Sequence, residues 1–153
     1  MRPLRLLLAL CAALFTAVSC VESSPFIPNI ETANFAPSLN VDLAASTKTA
    51  SGLYYRDLVV GAGTTVPDTG TKTVTTNYAG YLRSGSMFDD GTISFATGTG
   101  AVIAGYDEGV RGMKVGGTRQ IIIPPALGYW NEPRTGIPAY SILVFTVTVT
   151  NVQ

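Results

Sequence analysis

Carboxylates are the groups in this sequence that could move a proton near neutral pH, because none of its 153 residues is histidine. Asp107 and Glu108 are adjacent in a stretch of helical spacing. On a helix they point to different sides and suit the positive end of its dipole, so we interpret them as structural. Asp89 and Asp90 precede Gly91, a pattern that is also typical of a turn.

The missing histidine narrows the possible chemistry further. It excludes Ser-His-Asp and Cys-His catalysis and zinc sites built on imidazole. No metal-ligand spacing, Gly-rich phosphate loop or activated nucleophile stands out in the sequence. We therefore expect no metal, no cofactor and no covalent intermediate.

Composition indicates one folded domain that does not bind nucleic acid. Charged residues make up 13% of the chain and hydrophobic residues 46%, which excludes a disordered polyelectrolyte. The length suits a single domain. Ten basic residues balance ten acidic ones without a Lys/Arg cluster, so a phosphate backbone has no site to bind.

The first twenty residues have the pattern of an export signal. Arg2 and Arg5 precede an apolar run over residues 6–18, and small residues follow at Ser19 and Cys20. The run is shorter than the ~20 apolar residues of a membrane span. We interpret residues 1–19 as a signal peptide and expect an exported protein of the cell envelope or periplasm. An uncleaved N-terminal anchor helix is the alternative.

Cys20 ends the phrase Ala17-Val18-Ser19-Cys20, which resembles a bacterial lipobox. In a lipobox the cysteine becomes the lipidated first residue of the mature chain. Cys11 lies inside the predicted signal, so its removal leaves Cys20 without a disulfide partner in the chain. We predict a lipoprotein that contacts a membrane only through this lipid, with a secreted protein cut near Cys20 as the alternative.

The remaining chain divides into two parts. Residues 20–50 mix Ser, Thr, Asn and Pro, and we interpret them as an N-terminal tether. The apolar spacing of residues 38–43 is also compatible with packing on the domain. From residue 51 to 153, short runs of Val, Ile, Thr and Tyr alternate with Gly, Pro and Asp, which is typical of strands and turns.

Strands are predicted over residues 53–60, 73–82, 93–96, 117–123 and 142–152. The last run alternates with period two, with Leu143, Phe145, Val147 and Val149 on one face. One stretch, residues 102–113, has helical spacing but contains three glycines, each costing roughly 1 kcal/mol in an isolated helix. Its apolar face must therefore be buried, so we predict an α+β fold with one short α-helix on an antiparallel sheet.

Five phrases of this region resemble the FKBP-type peptidyl-prolyl cis-trans isomerases, in the family's order and with near-family spacing over about residues 52–153. The phrases are Asn77-Tyr78-Ala79-Gly80-Tyr81-Leu82, Gly85-Ser86-Met87-Phe88-Asp89, residues 102–116 (VIAGYDEGVRGMKVG), Ile123-Pro124-Pro125-Ala126-Leu127-Gly128-Tyr129, and Gly136-Ile137-Pro138 leading into Leu143-Val144-Phe145. The resemblance implies a curved antiparallel β-sheet of five or six strands wrapped around one short α-helix. It also implies X-Pro isomerase activity in an apolar aromatic pocket between helix and sheet.

The resemblance also implies roles for individual residues. The expected catalytic set is Tyr78, Phe88, Asp89 and Tyr129, with Asp89 orienting Tyr78 or meeting the substrate. The expected substrate-binding set is Ile93, Val102, Ile103, Tyr106, Ile137 and Phe145, with Tyr106 as the floor. Ile103 is a candidate for giving its backbone N–H to a substrate carbonyl.

Departures from the family pattern keep alternatives open. Tyr106 stands where the family often has Trp, the loop predicted between Asp89 and Phe95 is short and lacks a basic residue, and Trp130 replaces a usual Gly. We expect a monomer that assists folding of exported, proline-containing polypeptides, with a macrolide as a candidate ligand. The alternatives are a non-catalytic binding or chaperone module and a lipoprotein that binds a hydrophobic small molecule.

Overall fold

The computed structural model describes residues 24–153. The signal peptide and the lipidation at Cys20 fall outside this range and remain predictions. Among the described residues, no helix has the length and apolar character needed to cross a membrane.

One six-stranded antiparallel sheet and one α-helix form the described domain, which confirms the predicted α+β fold. In chain order the elements are β1 (Thr47–Lys48), β2 (Tyr54–Val59), β3 (Thr73–Leu82), β4 (Met87–Ala96), α1 (Ala104–Val110), β5 (Thr118–Ile123) and β6 (Leu143–Val152). The strands lie in the order β1-β2-β5-β6-β3-β4, so β3 has β6 on one side and β4 on the other.

The period-two pattern of β6 separates two cores, one on each face of the sheet. Leu143, Phe145, Val147 and Val149 are buried in the main core, which also contains the helix. Ile142 and Val144 face the other way and belong to a smaller core on the outer face. The predicted face assignment is thus confirmed for the buried residues.

Helix α1 is shorter than the 102–113 stretch predicted from spacing. It contacts β5 through two glycines, and a Cβ atom at either would collide with an isoleucine. At Gly105 the collision would be with Ile123 Cγ2, and at Gly109 it would be with Ile121 Cδ1 at 2.6 Å. The glycines that weaken an isolated helix are therefore what allow this one to lie directly on the sheet.

A buried arginine on β5 fixes the end of the helix. Arg119 donates from Nη1 to the backbone oxygens of Gly109, at 3.0 Å, and Arg111, at 2.9 Å. Its Nε and Nη2 donate to the two carboxylate oxygens of Asp57 at 2.6 and 3.2 Å. The bidentate pair compensates the buried charge, and the helix's terminal carbonyls gain a donor.

The N-terminal segment is not a free tether from residue 29 onward. Ile30 and Leu39, in short 3-10 helices at Ile30–Thr32 and Pro37–Leu39, are 3% and 8% exposed in the outer core. Gln120 Nε2 donates to the Leu39 oxygen at 2.7 Å. β1 pairs with β2, so this segment packs on the outer face of the sheet, which is the second of the two possibilities left open by the sequence.

A correction concerns residues 89–94, where we expected a short loop before a strand at 93–96. β4 instead runs from Met87 to Ala96 and pairs with β3 on both sides of an irregularity at Phe88, with Asp89 opposite Gly80 and Gly91 opposite Tyr78. Backbone pairing along β3 outweighs the local turn preference of Asp and Gly. Asp89 therefore lies on a strand, in a fixed register with the pocket residues of β3.

Replacing Gly109 with alanine tests the helix contact. Alanine favours a helix by about 1 kcal/mol over glycine, but its Cβ would overpack Ile121 at a cost of about 1–3 kcal/mol. We expect the net effect of Gly109→Ala to be a free energy of unfolding lower by up to about 2 kcal/mol in urea denaturation. Ala104→Gly, at an exposed helix position, is the control and should cost at most about 1 kcal/mol. A Gly109→Ala protein more stable than wild type would contradict this account.

Candidate active site

A cavity of about 640 Å³ opens between α1, strands β3, β4 and β6, and the segment after β5. It is lined by Tyr78, Phe88, Asp89, Ile93, Gly100, Ala101, Val102, Ile103, Tyr106, Gly128, Tyr129, Trp130, Glu132, Arg134 and Phe145. Nine of the ten site residues predicted from sequence are in this set, and Ile137 is the exception. A cavity of this size falls within the usual range for small-molecule sites.

Phe145 of β6 is the centre of the aromatic wall. Its ring meets those of Tyr106 and Phe88 edge to face, with centroids 5.3 and 5.5 Å apart, and that of Tyr78 at a tilt, 6.2 Å away. Edge-to-face pairs contribute about 0.5–1.5 kcal/mol each beyond burial. These contacts hold the wall in one arrangement before any ligand enters.

Gly80 provides the space for this wall, and the sequence prediction gave it no role. A Cβ there would lie 2.7 Å from two ring atoms of Phe88 and 2.8 Å from Phe145 Cε1. An isolated glycine inside a strand is a signal of close approach. That signal was present in the Tyr78-Ala79-Gly80-Tyr81 phrase.

Tyr106 forms the floor, as predicted, and its hydroxyl has a partner. The Tyr106 oxygen lies 2.7 Å from the Thr76 Oγ1, and both residues are buried. Burial raises the pKa of Tyr106, so the ring remains neutral at ordinary pH. The Tyr106 hydroxyl, which a tryptophan at this position would lack, is therefore hydrogen-bonded to Thr76 of β3.

Tyr78 and Asp89 form the polar part of the cavity. The Tyr78 hydroxyl donates to Asp89 Oδ2 at 2.8 Å. This bond to a carboxylate, aided by burial, raises the pKa of Tyr78 to about 12. Within residues 24–153 Asp89 forms no ion pair, and Arg134, which also lines the cavity, pairs with Glu132 at 2.9 Å. Of the two roles predicted for Asp89, orienting Tyr78 is the one this geometry supports.

The helix start places one backbone donor at the cavity. Ile103 precedes α1 in extended conformation and lines the cavity with Val102. Its oxygen accepts from Tyr106 N–H at 2.9 Å. Its own N–H has no acceptor within the described part of the chain, so it is available to a bound carbonyl.

Carboxylates on the helix are structural, as expected. Asp107 accepts from the Gly98 N–H at 2.5 Å and pairs with Arg111 at 3.0 Å. Glu108 accepts from the Ser51 hydroxyl at 2.8 Å. Neither residue lines the cavity.

The part of the Trp130–Tyr140 segment that lines the cavity, here called the rim, contains charged residues that the sequence analysis did not predict. Glu132 and Arg134 line the cavity, and the Arg134 guanidinium lies 5.5 Å from the centre of the Tyr129 ring. Tyr129, which the sequence analysis placed in the pocket, lines the cavity. The missed signal was the presence of two charges in the Trp130–Tyr140 segment, in a chain that has few.

Ile137 is the predicted site residue that does not line the cavity, and its role as a substrate contact stays a prediction. It is 6% exposed in the main core, and its N–H and oxygen both bond to the backbone of Arg134 at 2.9 Å. Ile137 therefore anchors the segment that contains Arg134 on the main core.

Comparison with known proteins gives one consistent result. The sequence model of FKBP-type peptidyl-prolyl cis-trans isomerases matches residues 64–150. "FK506-binding protein 4" of Mycosarcoma maydis is 40% identical over 112 residues, 71% of this chain. "Peptidyl-prolyl cis-trans isomerase FKBP20-2, chloroplastic" of Arabidopsis thaliana is 40% identical over 111 residues, 69% of this chain.

Solved structures agree with the sequence comparisons. FkpA from Escherichia coli superposes with a TM-score of 0.63 at 34% identity, and AtFKBP13 with 0.63 at 30%, each over 71% of this chain. The match spans 98% of AtFKBP13 and 52% of FkpA. The chain spans 29% of the Mycosarcoma maydis relative and 45% of the Arabidopsis thaliana one.

Titration of Tyr78 tests its bond to Asp89. The folded pKa of about 12 lies above the ordinary 10.0, so the bond stabilises the protein below pH 10 and its contribution is lost as the pH rises through 12. We expect Asp89→Asn to move the Tyr78 midpoint toward 10, because the negative acceptor is removed. The ultraviolet absorbance of the tyrosine phenolate measures this midpoint. The part of the absorbance change that is lost in Tyr78→Phe identifies the contribution of Tyr78. Asp90→Asn is the control and should leave most of the shift; an unchanged midpoint in Asp89→Asn would refute the assignment.

Proposed function

The chain belongs to the FKBP-type peptidyl-prolyl cis-trans isomerase family, and on this premise we propose that it catalyses rotation about X-Pro amide bonds in the aromatic cavity. The observation that carries the proposal is the cavity itself, in which nine residues predicted from the family resemblance meet. The substrates proposed are polypeptides that contain proline.

The proposed chemistry requires no bond to the enzyme. An X-Pro amide is held planar by resonance, with a barrier of about 18–20 kcal/mol, and isomerises in tens to hundreds of seconds unaided. In the twisted transition state the conjugation is lost and the amide becomes less polar. An apolar wall therefore favours the twisted amide. The planar amide is more polar and is better solvated by water.

Each part of the site has a role in this mechanism. The proline ring packs on Tyr106 and Phe145, which close the cavity on the helix and sheet sides. The free N–H of Ile103 and the hydroxyl of Tyr129 are positioned to hold substrate carbonyls. Asp89 fixes the Tyr78 ring through the 2.8 Å bond, so the wall does not move as the amide turns.

The same cavity supports a proposal on ligands. Relatives are named FK506-binding proteins, and we propose that a macrolide of that kind competes with peptide for the aromatic wall. A non-catalytic binding or chaperone module, the alternative function, would use the same wall without accelerating rotation. Measured isomerisation rates separate the two.

The cellular setting is proposed from sequence only. The charged and apolar pattern of residues 1–19 and the lipobox-like phrase before Cys20 support an exported lipoprotein that acts as a monomer on envelope or periplasmic clients. Mass spectrometry of the mature chain tests the lipid. A diacylglyceryl group on Cys20 is expected, and an unmodified cysteine would exclude the lipoprotein.

Removing one wall of the cavity tests catalysis. We expect wild type to accelerate cis-trans exchange of an X-Pro tetrapeptide and Phe88→Ala to lose about 10–100-fold in kcat/KM, since a buried aromatic contact of about 1.5–3 kcal/mol is removed. Met87→Ala, at the exposed neighbouring position, is the matched control and should keep the wild-type rate.

Circular dichroism and unfolding curves show whether Phe88→Ala remains folded. A folded wild type without activity would overturn the catalytic proposal and favour the binding module. Equal activity of wild type and a folded Phe88→Ala would overturn the role of the aromatic wall.

A further inference from the structure

A second groove, of about 320 Å³, adjoins the aromatic cavity at Trp130. One side of the groove is the N-terminal segment from Ile27 to Glu31, and the other is Pro124 to Ala126. Trp130 lines both this groove and the cavity. Trp130 is therefore the residue at which the two depressions meet.

Trp130 is held in place by its backbone. Its N–H donates to the Pro125 oxygen at 3.0 Å, and its oxygen accepts from the Tyr140 N–H at 2.6 Å. Both aromatic residues have left-handed backbone, with φ of 51° at Trp130 and 57° at Tyr140, an uncommon conformation for bulky residues. Their rings meet edge to face at 5.5 Å. These contacts hold the indole in one position where the two depressions meet.

The groove has exposed apolar side chains, and its charges balance. Ile27 is 45% exposed and Trp130 is 42% exposed, although both are large hydrophobic residues. The groove contains one acid, Glu31, and one base, Lys48, which pair with each other at 2.5 Å. Glu31 also accepts from Tyr54 at 2.8 Å. A ligand in this groove therefore meets exposed apolar side chains and a pair of charges that already bind each other.

We propose that the groove is a second substrate subsite, which takes apolar residues beside the proline when an extended polypeptide crosses Trp130. The inference rests on the proposed isomerase function, because its occupant is the chain whose proline lies in the aromatic cavity. We identify the occupant as this same polypeptide because the groove and the aromatic cavity meet at Trp130. The consequence is a preference for long, unfolded polypeptides over short peptides.

Two peptides with the same Leu-Pro core test this preference. One is a tetrapeptide, and the other has about twelve residues with Leu and Val on both sides, long enough in extended form to continue past the rim. Trp130 is the single tryptophan of the chain, so its fluorescence reports binding of either peptide. Exchange NMR gives kcat/KM for both.

We expect wild type to bind the longer peptide about tenfold more tightly, because one additional apolar side chain is buried. Ile27→Ser and Ala126→Arg change exposed groove residues outside the aromatic cavity. Both variants should lose this advantage while keeping the tetrapeptide affinity and rate. Leu58→Ser is the matched control, because Leu58 is 46% exposed on β2 and lines neither depression, and it should behave as wild type.

Equal affinity of wild type for the two peptides would overturn the subsite, as would an unchanged length preference in both groove variants. A groove filled by a second copy of the chain would also overturn it. In that case light scattering would show a dimer that Ala126→Arg disrupts. If the length preference is found but neither peptide isomerises faster, the proposed catalysis fails and the subsite is retained as a binding site.

Discussion

The contact between α1 and β5 is the constraint on which the rest of the site depends. Seven residues are too few for a stable isolated helix, and Gly105 and Gly109 weaken it further. The same glycines let the helix lie against Ile121 and Ile123, and Arg119 binds its last carbonyls from the sheet. The helix is therefore formed by its tertiary contacts. Its position sets the floor of the cavity at Tyr106 and the available N–H at Ile103.

This arrangement produces a site with few polar groups, and most of their side chains are already bonded to one another. The hydroxyl of Tyr106 is bonded to Thr76, that of Tyr78 to Asp89, and Arg134 to Glu132. What remains for a ligand is aromatic surface and a small number of donors at the edge. Such a site suits a reaction whose transition state is less polar than its ground state, and it is poorly suited to moving protons.

Sequence patterns predicted the elements that bury one face, because burial on one side gives the apolar residues a regular spacing. The alternation of β6 and the helical spacing around Tyr106 each reflect burial on one side, so both faces were assigned correctly. The family resemblance supplied most of the cavity residues, which periodicity alone would have assigned to packing. Prediction failed where a distant partner decides the conformation. Asp89 to Gly91 form a strand because β3 pairs with them, and Ile30 is buried because it packs in the core on the outer face of the sheet. A local turn signal or a polar composition contains no information about such partners.

The central claim is that the cavity lowers the barrier to amide rotation by its apolar walls, with no proton in transfer. The solvent deuterium isotope effect on kcat/KM for an X-Pro tetrapeptide, measured by exchange NMR in H2O and D2O, tests this most directly. Rotation without proton transfer predicts clear acceleration and a ratio close to unity. A large normal isotope effect would contradict the account, because it would mean that a proton moves in the transition state and that Asp89 or a tyrosine acts as an acid or base.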